Sequence, residues 1–154
     1  MRAPSTTEGA DVAHAENTIE IARTPDEVFA FLADGTNNPR WRAGVKSIEL
    51  SSGTPGEVDA VYAQTLTGPG GRPIAGDYRI TSAVPGERLV FSVIAGPARP
   101  TGEYTLTPDG DGTRVRFTLD LTPTGLMRLM SGAIQKTMTA EVAQLSTLKS
   151  VLES

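Results

Sequence analysis

Apolar and polar residues alternate over several short stretches of this chain, and the period changes near its end. "AENTIEIAR" (15–23) puts Ile19 and Ile21 on one face, as a half-buried strand does. Six further strands are expected over 45–51, 57–67, 73–84, 87–95, 100–107 and 113–122. Turn-forming stretches bound them: "SGTPGE", "GPGGRP", "VPGE", "AGPARP" and "PDGDGT". Tyr78 and Ile80 alternate with Asp77 and Arg79, Tyr104 and Leu106 with Glu103 and Thr105, and Val115, Phe117, Leu119 and Leu121 with Arg114, Arg116, Thr118 and Asp120. The connections are too short for crossover helices, so neighbouring strands run antiparallel. Such a sheet has one dry face and one wet face.

Two stretches have helical character. In "RTPDEVFAFLADGTNNPRW" (23–41), Thr24 can accept from the Glu27 amide while the Glu27 side chain reaches back, and Pro25 occupies the first helical position. Val28, Phe29 and Leu32 share one face, so this helix must lie on something. Gly35 and Pro39 end it, and a second, very short helix leads to Trp41. From Pro123 to Leu152 apolar residues recur at spacings of three and four: Leu126, Met130, Ile134, Met138, Val142, Leu145, Leu148 and Leu152. The spacing predicts one amphipathic helix over 124–152, roughly 40 Å long at 1.5 Å per residue. Residues 1–14, small and polar, are expected to form a disordered tail ahead of a single domain spanning 15–153.

The dry face of the sheet needs a cover, and only the terminal helix is long enough to supply it. A long antiparallel sheet curled around one helix leaves space between them, and the two short helices close one end. The fold class expected is α+β: a seven-stranded antiparallel sheet curled around a long C-terminal helix, with two short helices closing one end. The large residues on the dry faces define the expected ligand-binding wall: Trp41, Tyr62, Tyr78, Phe91, Tyr104, Phe117, Met130, Ile134 and Met138. The enclosed cavity should reach at least ~300 Å³, the lower end of ordinary ligand sites. Alternation alone does not say which face of strand 57–67 points inward. Tyr62, Gln64, Tyr78, Ser82 and Tyr104 are the polar groups expected inside, whereas Asp59, Asp77, Arg79, Arg99 and Glu103 are expected in water.

Composition narrows the function classes. The formal charge is -4, and the arginines are scattered among acids, so no basic stripe offers itself to nucleic acid. With no cysteine there is neither disulfide nor thiolate chemistry, which fits a cytoplasmic protein. No apolar run nears the ~20 residues that span a bilayer, so stable membrane insertion is not expected. His14, the only histidine, falls in the predicted tail, out of reach of any substrate proton. One histidine and no cysteine leave no ordinary zinc site, and neither metal nor other cofactor is expected. "DGDG" (109–112) lacks the later ligands of a calcium loop, and "GPGG" (68–71) lacks the spacing and following helix of a phosphate loop; both read as turns. No serine-nucleophile signature occurs. No catalytic residue is assigned.

The sequence resembles the SRPBCC superfamily, whose helix-grip fold includes START and birch-pollen-allergen-like proteins, and more narrowly its polyketide cyclase/dehydrase-like branch. The resemblance rests on "TPDEVFAFLADGTNNPRW", Gly56–Glu57, "VPGERLVFSV", "LTPDGDGTRVRF" and "LSTLKSVLE", and spans about residues 15–153 in the family's order. It implies a hydrophobic cavity that takes lipids, sterols, polyketides or other apolar molecules. Three functions follow as expectations. The first is a binding protein for a small hydrophobic or aromatic molecule, and the absence of a histidine or unambiguous acid inside favours it. The second is a polyketide cyclase, aromatase or dehydratase. The third is a co-chaperone-like interaction module, which a solidly packed interior would favour. A monomer or weak homodimer is expected. Trp41 reads either as a core anchor or as a wall of the pocket, and the helix methionines Met127, Met130 and Met138 either as core filler or as pocket lining.

Overall fold

The computed structural model describes residues 12–154, so most of the predicted tail lies outside the described residues. Eight strands form one antiparallel sheet: β1 (Ala13–Ile21), β2 (Val45–Ser52), β3 (Val61–Thr67), β4 (Pro73–Ala75), β5 (Tyr78–Val84), β6 (Arg88–Val93), β7 (Thr101–Asp109) and β8 (Gly112–Leu121). Seven of them run in the order β1-β8-β7-β6-β5-β3-β2, and β4 pairs with β3. Between β1 and β2 lie α1 (Pro25–Ala33) and a 3-10 helix (Gly35–Arg40). After β8 come a 3-10 helix (Gly125–Met130), α2 (Ser131–Ala143) and α3 (Leu145–Glu153).

The local signals act as their chemistry requires. Thr24 caps α1 by accepting from the Glu27 amide, and the Glu27 carboxylate accepts from the Thr24 amide at 3.0 Å. Val28, Phe29 and Leu32 are buried, and the helix packs against β6, β7 and β8. The β7–β8 turn is the two-residue hairpin expected at "DGDG", with Asp109 opposite Gly112 and Gly110 at φ 59°. Val115, Phe117, Leu119, Leu145 and Leu148 are buried in one core with α1 and Trp41.

Several boundaries differ from the expectation. β1 begins at Ala13, so His14 belongs to a strand rather than to a tail; its backbone faces Asp120 of β8. Strand 57–67 begins only at Val61, because residues before it form a turn in which Asp59 takes φ 74° and donates its amide to Ile80. Strand 73–84 is two strands. At the break, Gln64 accepts from the Gly76 amide through its carbonyl and donates its own amide to the Asp77 carboxylate.

The C-terminal helix is also segmented. Gln144 interrupts it with a tight turn, and its side-chain oxygen accepts from the Ala43 amide at 2.6 Å. α2 and α3 pack along β1. Ile134, expected in the core, is only half-buried.

Candidate functional site

Cross-strand pairing lines up five rings along the inner face, one from each of β3, β5, β6, β7 and β8. Centroids of Tyr62 and Tyr78 lie 5.3 Å apart, Tyr78 and Phe91 5.2 Å, Phe91 and Tyr104 6.0 Å, and Tyr104 and Phe117 4.4 Å. Trp41 stands edge-on to Tyr104 and Phe117, 6.2 Å from each. All six are buried. Gly102, opposite Phe91 in the ladder, makes room for that ring, since a Cβ there would collide with Phe91 Cζ. Gly35 does the same for Tyr78, whose hydroxyl an added Cβ would strike.

A polar cluster sits against these rings. Asn38, in the short helix, donates from Nδ2 to Gln64 Oε1 and to the Tyr78 hydroxyl, both at 3.1 Å. Gln64 donates in turn to the Gly76 carbonyl at 3.2 Å. Tyr62 and Gln64 therefore mark the inward face of β3, and both are buried. Arg42, immediately after Trp41, is buried as well. Its Nε and Nη2 donate to Glu141 Oε1 of α2 at 3.2 and 2.9 Å.

Burial pushes the Tyr78 and Tyr104 hydroxyls well above the ordinary tyrosine range, so both are protonated donors at neutral pH. Burial opposes the charge on Arg42, but the Glu141 carboxylate, with the Tyr104 and Tyr78 hydroxyls, offsets it and the guanidinium stays ionised. The Trp41 indole N–H, buried with its ring, has no acceptor among the described residues.

The space these groups enclose is about 10 Å³, lined by Leu32, Ala33, Asn38, Arg42, Tyr78, Ile80, Leu89, Phe91 and Tyr104. That is room for about one water molecule, not the ~300 Å³ expected. The row of five packed rings fills the volume that sheet curvature would otherwise leave. Of the nine residues expected to form the wall, Tyr78, Phe91 and Tyr104 reach this space. Trp41, Tyr62, Phe117 and Met138 lie in the surrounding core. Met130 does not belong there: it is 53% exposed, at the end of the 3-10 helix of residues 125–130. Half-buried Ile134 does not line the space either. Ser82, expected inside, is half-buried, whereas exposed Arg79 lies in water as expected.

The sequence reading missed Arg42, Asn38 and Glu141. Glu141 did carry a signal: it falls three residues after Met138 and one before Val142, within the apolar stripe of its helix. An acid in that position calls for a buried cation. Arg42 had none, since it follows a break with no period to place it.

An eight-stranded antiparallel sheet holding C-terminal helices, with short helices closing one end, is the helix-grip fold of the SRPBCC superfamily. Residues 12–153 match the family described as polyketide cyclase / dehydrase and lipid transport, and the chain belongs to that family. Among solved structures it is similar to a protein of Thermus thermophilus, at 20% identity and a TM-score of 0.75, covering 89% of this chain and 94% of that one. It is similar also to the Zhui aromatase/cyclase from Streptomyces sp. R1128, at 18% identity and a TM-score of 0.76, covering 92% and 94%. The di-domain ARO/CYC StfQ from the steffimycin biosynthetic pathway aligns at 16% identity and a TM-score of 0.78, over 97% of this chain and 53% of that one, about half the di-domain's length. At these identities the likeness is one of fold. No curated protein sequence matches the chain. Among the described residues no helix is long and apolar enough to cross a membrane.

Proposed function

We propose that the chain binds a small hydrophobic or aromatic molecule between the inner face of its sheet and its C-terminal helices. Membership of a family described by polyketide cyclisation and lipid transport supports a small apolar ligand. The carrying observation is the Trp41 indole N–H, placed in an aromatic core without a partner among the described residues. Beside it Arg42 lies buried, its charge paired with Glu141. A buried polar group without a partner costs about 1–3 kcal/mol, and folding alone gives no reason to keep one. A bound molecule does.

With about 10 Å³ enclosed, admission of a ligand requires a wall to move. The stretch from Gly125 to Ala143 does not line that space, but its Glu141 holds Arg42, which does. Leu129 is 84% exposed, and within α2 only Met138 and Val142 are buried.

A filled interior taken alone favours the interaction-module reading, but it leaves the buried donors unexplained. The cyclase-type reading needs a base as well as donors. Among the described residues no carboxylate or imidazole lines the interior space, and both tyrosines there are held protonated. Binding without chemistry therefore accounts best for the site.

Titration with an anilinonaphthalene dye tests the proposal. Saturable brightening at one dye per chain, with a higher thermal midpoint, supports it. No brightening, or brightening without a gain in midpoint, counts against it.

A further inference from the structure

We propose that residues 128–136 dock the protein reversibly on an anionic membrane surface. Leu129 and Met130 enter the bilayer interface, while Arg128 and Lys136 meet its headgroups. This surface is separate from the interior space, whose lining includes none of these residues.

Exposure gives the first reason. Residues 128–133 are all exposed, Leu129 almost wholly so. A Cβ added at Gly125 or Gly132 would meet nothing within 4 Å, so no described element packs against either position. Val12, exposed too, stands at the same end of the sheet, one residue before Ala13, whose ladder partner is Leu121. Single exposed apolar residues are ordinary, but two large ones in succession on an uncovered segment make a patch.

Charge selects the partner. Between Asp120 and Glu141 the charged residues are Arg128 and Lys136, both cations, in a chain whose formal charge is -4. The acids that bound the segment are committed elsewhere, Asp120 to His14 at 2.6 Å and Glu141 to Arg42 at 2.9 Å. Among the described residues no carboxylate lies within ion-pair distance of Arg128 or Lys136. Apolar side chains flanked by uncompensated cations suit a surface where hydrocarbon lies beneath anionic headgroups. A second copy of the chain fits less well. A stable protein interface takes about 20–30 residues a side, and this patch offers a handful. A bilayer needs no such area, because each apolar side chain that leaves water contributes by itself. Among the described residues no helix can cross the bilayer, so the contact is peripheral.

Co-sedimentation of the full chain with vesicles tests this, with phosphatidylcholine alone and with about one third phosphatidylserine added. Anionic vesicles should bind at least about tenfold tighter than neutral ones, and rising salt should weaken that binding. Leu129→Ser combined with Met130→Ser should cost about tenfold in affinity. Arg128→Gln combined with Lys136→Gln should remove the preference for anionic vesicles. All four positions are exposed, so both variants should keep the parent's thermal midpoint. The chain has no cysteine, so a single polarity-sensitive label can be placed at Leu129→Cys or at Asp111→Cys, in the β7–β8 turn at the opposite end of the sheet. Emission should shift to the blue on anionic vesicles from the first site and not from the second. Absence of vesicle binding, equal binding to both compositions, or a blue shift at both sites or neither overturns the proposal. A dimer that the Leu129/Met130 variant abolishes, without vesicle binding, overturns it in favour of a second copy.

Discussion

Arg42 and Glu141 form a two-bond ion pair onto a single carboxylate oxygen, linking the end of the short helix to α2 across 99 positions of sequence. It joins the part of the molecule that carries Trp41 to the helix that covers the sheet. Its partial burial means that removing one partner leaves the other charge desolvated.

Glu141→Ala should therefore destabilise the fold by about 2–3 kcal/mol, toward or below the lower end for buried pairs because Glu141 retains some exposure. Arg42→Met combined with Glu141→Leu should recover most of that loss, since an apolar pair of similar volume leaves no stranded charge. Urea denaturation of the two variants and the parent measures both. A double variant no more stable than Glu141→Ala would show that the pair itself, rather than the stranded charge, matters.

Phe117 is fully buried, stacked on Tyr104 and touching the edge of Trp41. Phe117→Ala should cost roughly 3–5 kcal/mol. Met130→Ala, at an exposed position, should stay within about 0.5 kcal/mol of the parent. The contrast in chemical-denaturation midpoints checks that Phe117 of β8 is seated in the core while Met130 is not.

Thr24 satisfies the first turn of α1 through the reciprocal bonds with Glu27. Thr24→Ala should cost about 1 kcal/mol, and Thr24→Asp much less, because aspartate restores the accepting oxygen. Thermal unfolding of the two variants distinguishes a lost cap from a lost surface hydroxyl.

His14 faces Asp120 at 2.6 Å and Glu16 at 3.6 Å, while the Gln135 side chain bonds its backbone from α2. The hydrogen bond to Asp120 is the largest cause raising its pKa above the usual histidine value; burial opposes it. A raised folded-state value means the contribution is fully present below about pH 6.5, the unfolded value, and is lost as pH rises through the folded one. With the side chain 44% exposed the effect should stay under about 1 kcal/mol. Stability measured from pH 5 to 9 should fall slightly above pH 6.5, and His14→Gln should remove that fall.

Elements with one strong period were legible in the sequence: the cap at Thr24, the alternation of Val115, Phe117 and Leu119, and the turns that set antiparallel neighbours. Breaks were not. The split at Gly76–Asp77 and the turn at Gln144 depend on tertiary hydrogen bonds, to Gln64 and Ala43, that no local pattern announces. The site was half legible. Alternation brought Tyr78, Phe91, Tyr104 and Phe117 to one face, but it says nothing of volume, and the rings fill the space they were expected to surround. Arg42 escaped notice because charge is read as surface unless a partner is seen, and its partner lies on another element.

The most direct test of the binding function uses the single tryptophan, whose indole N–H lies unpaired inside the core. In proton–nitrogen correlation spectra the Trp41 Nε1–H signal is resolved from every backbone amide by its chemistry. Titration with 2-acetylnaphthalene should shift this signal saturably, with shifts concentrated at Tyr78, Phe91 and Tyr104. An indole signal that stays fixed while only the exposed Leu129 and Met130 region responds would place the ligand on the surface and contradict the account.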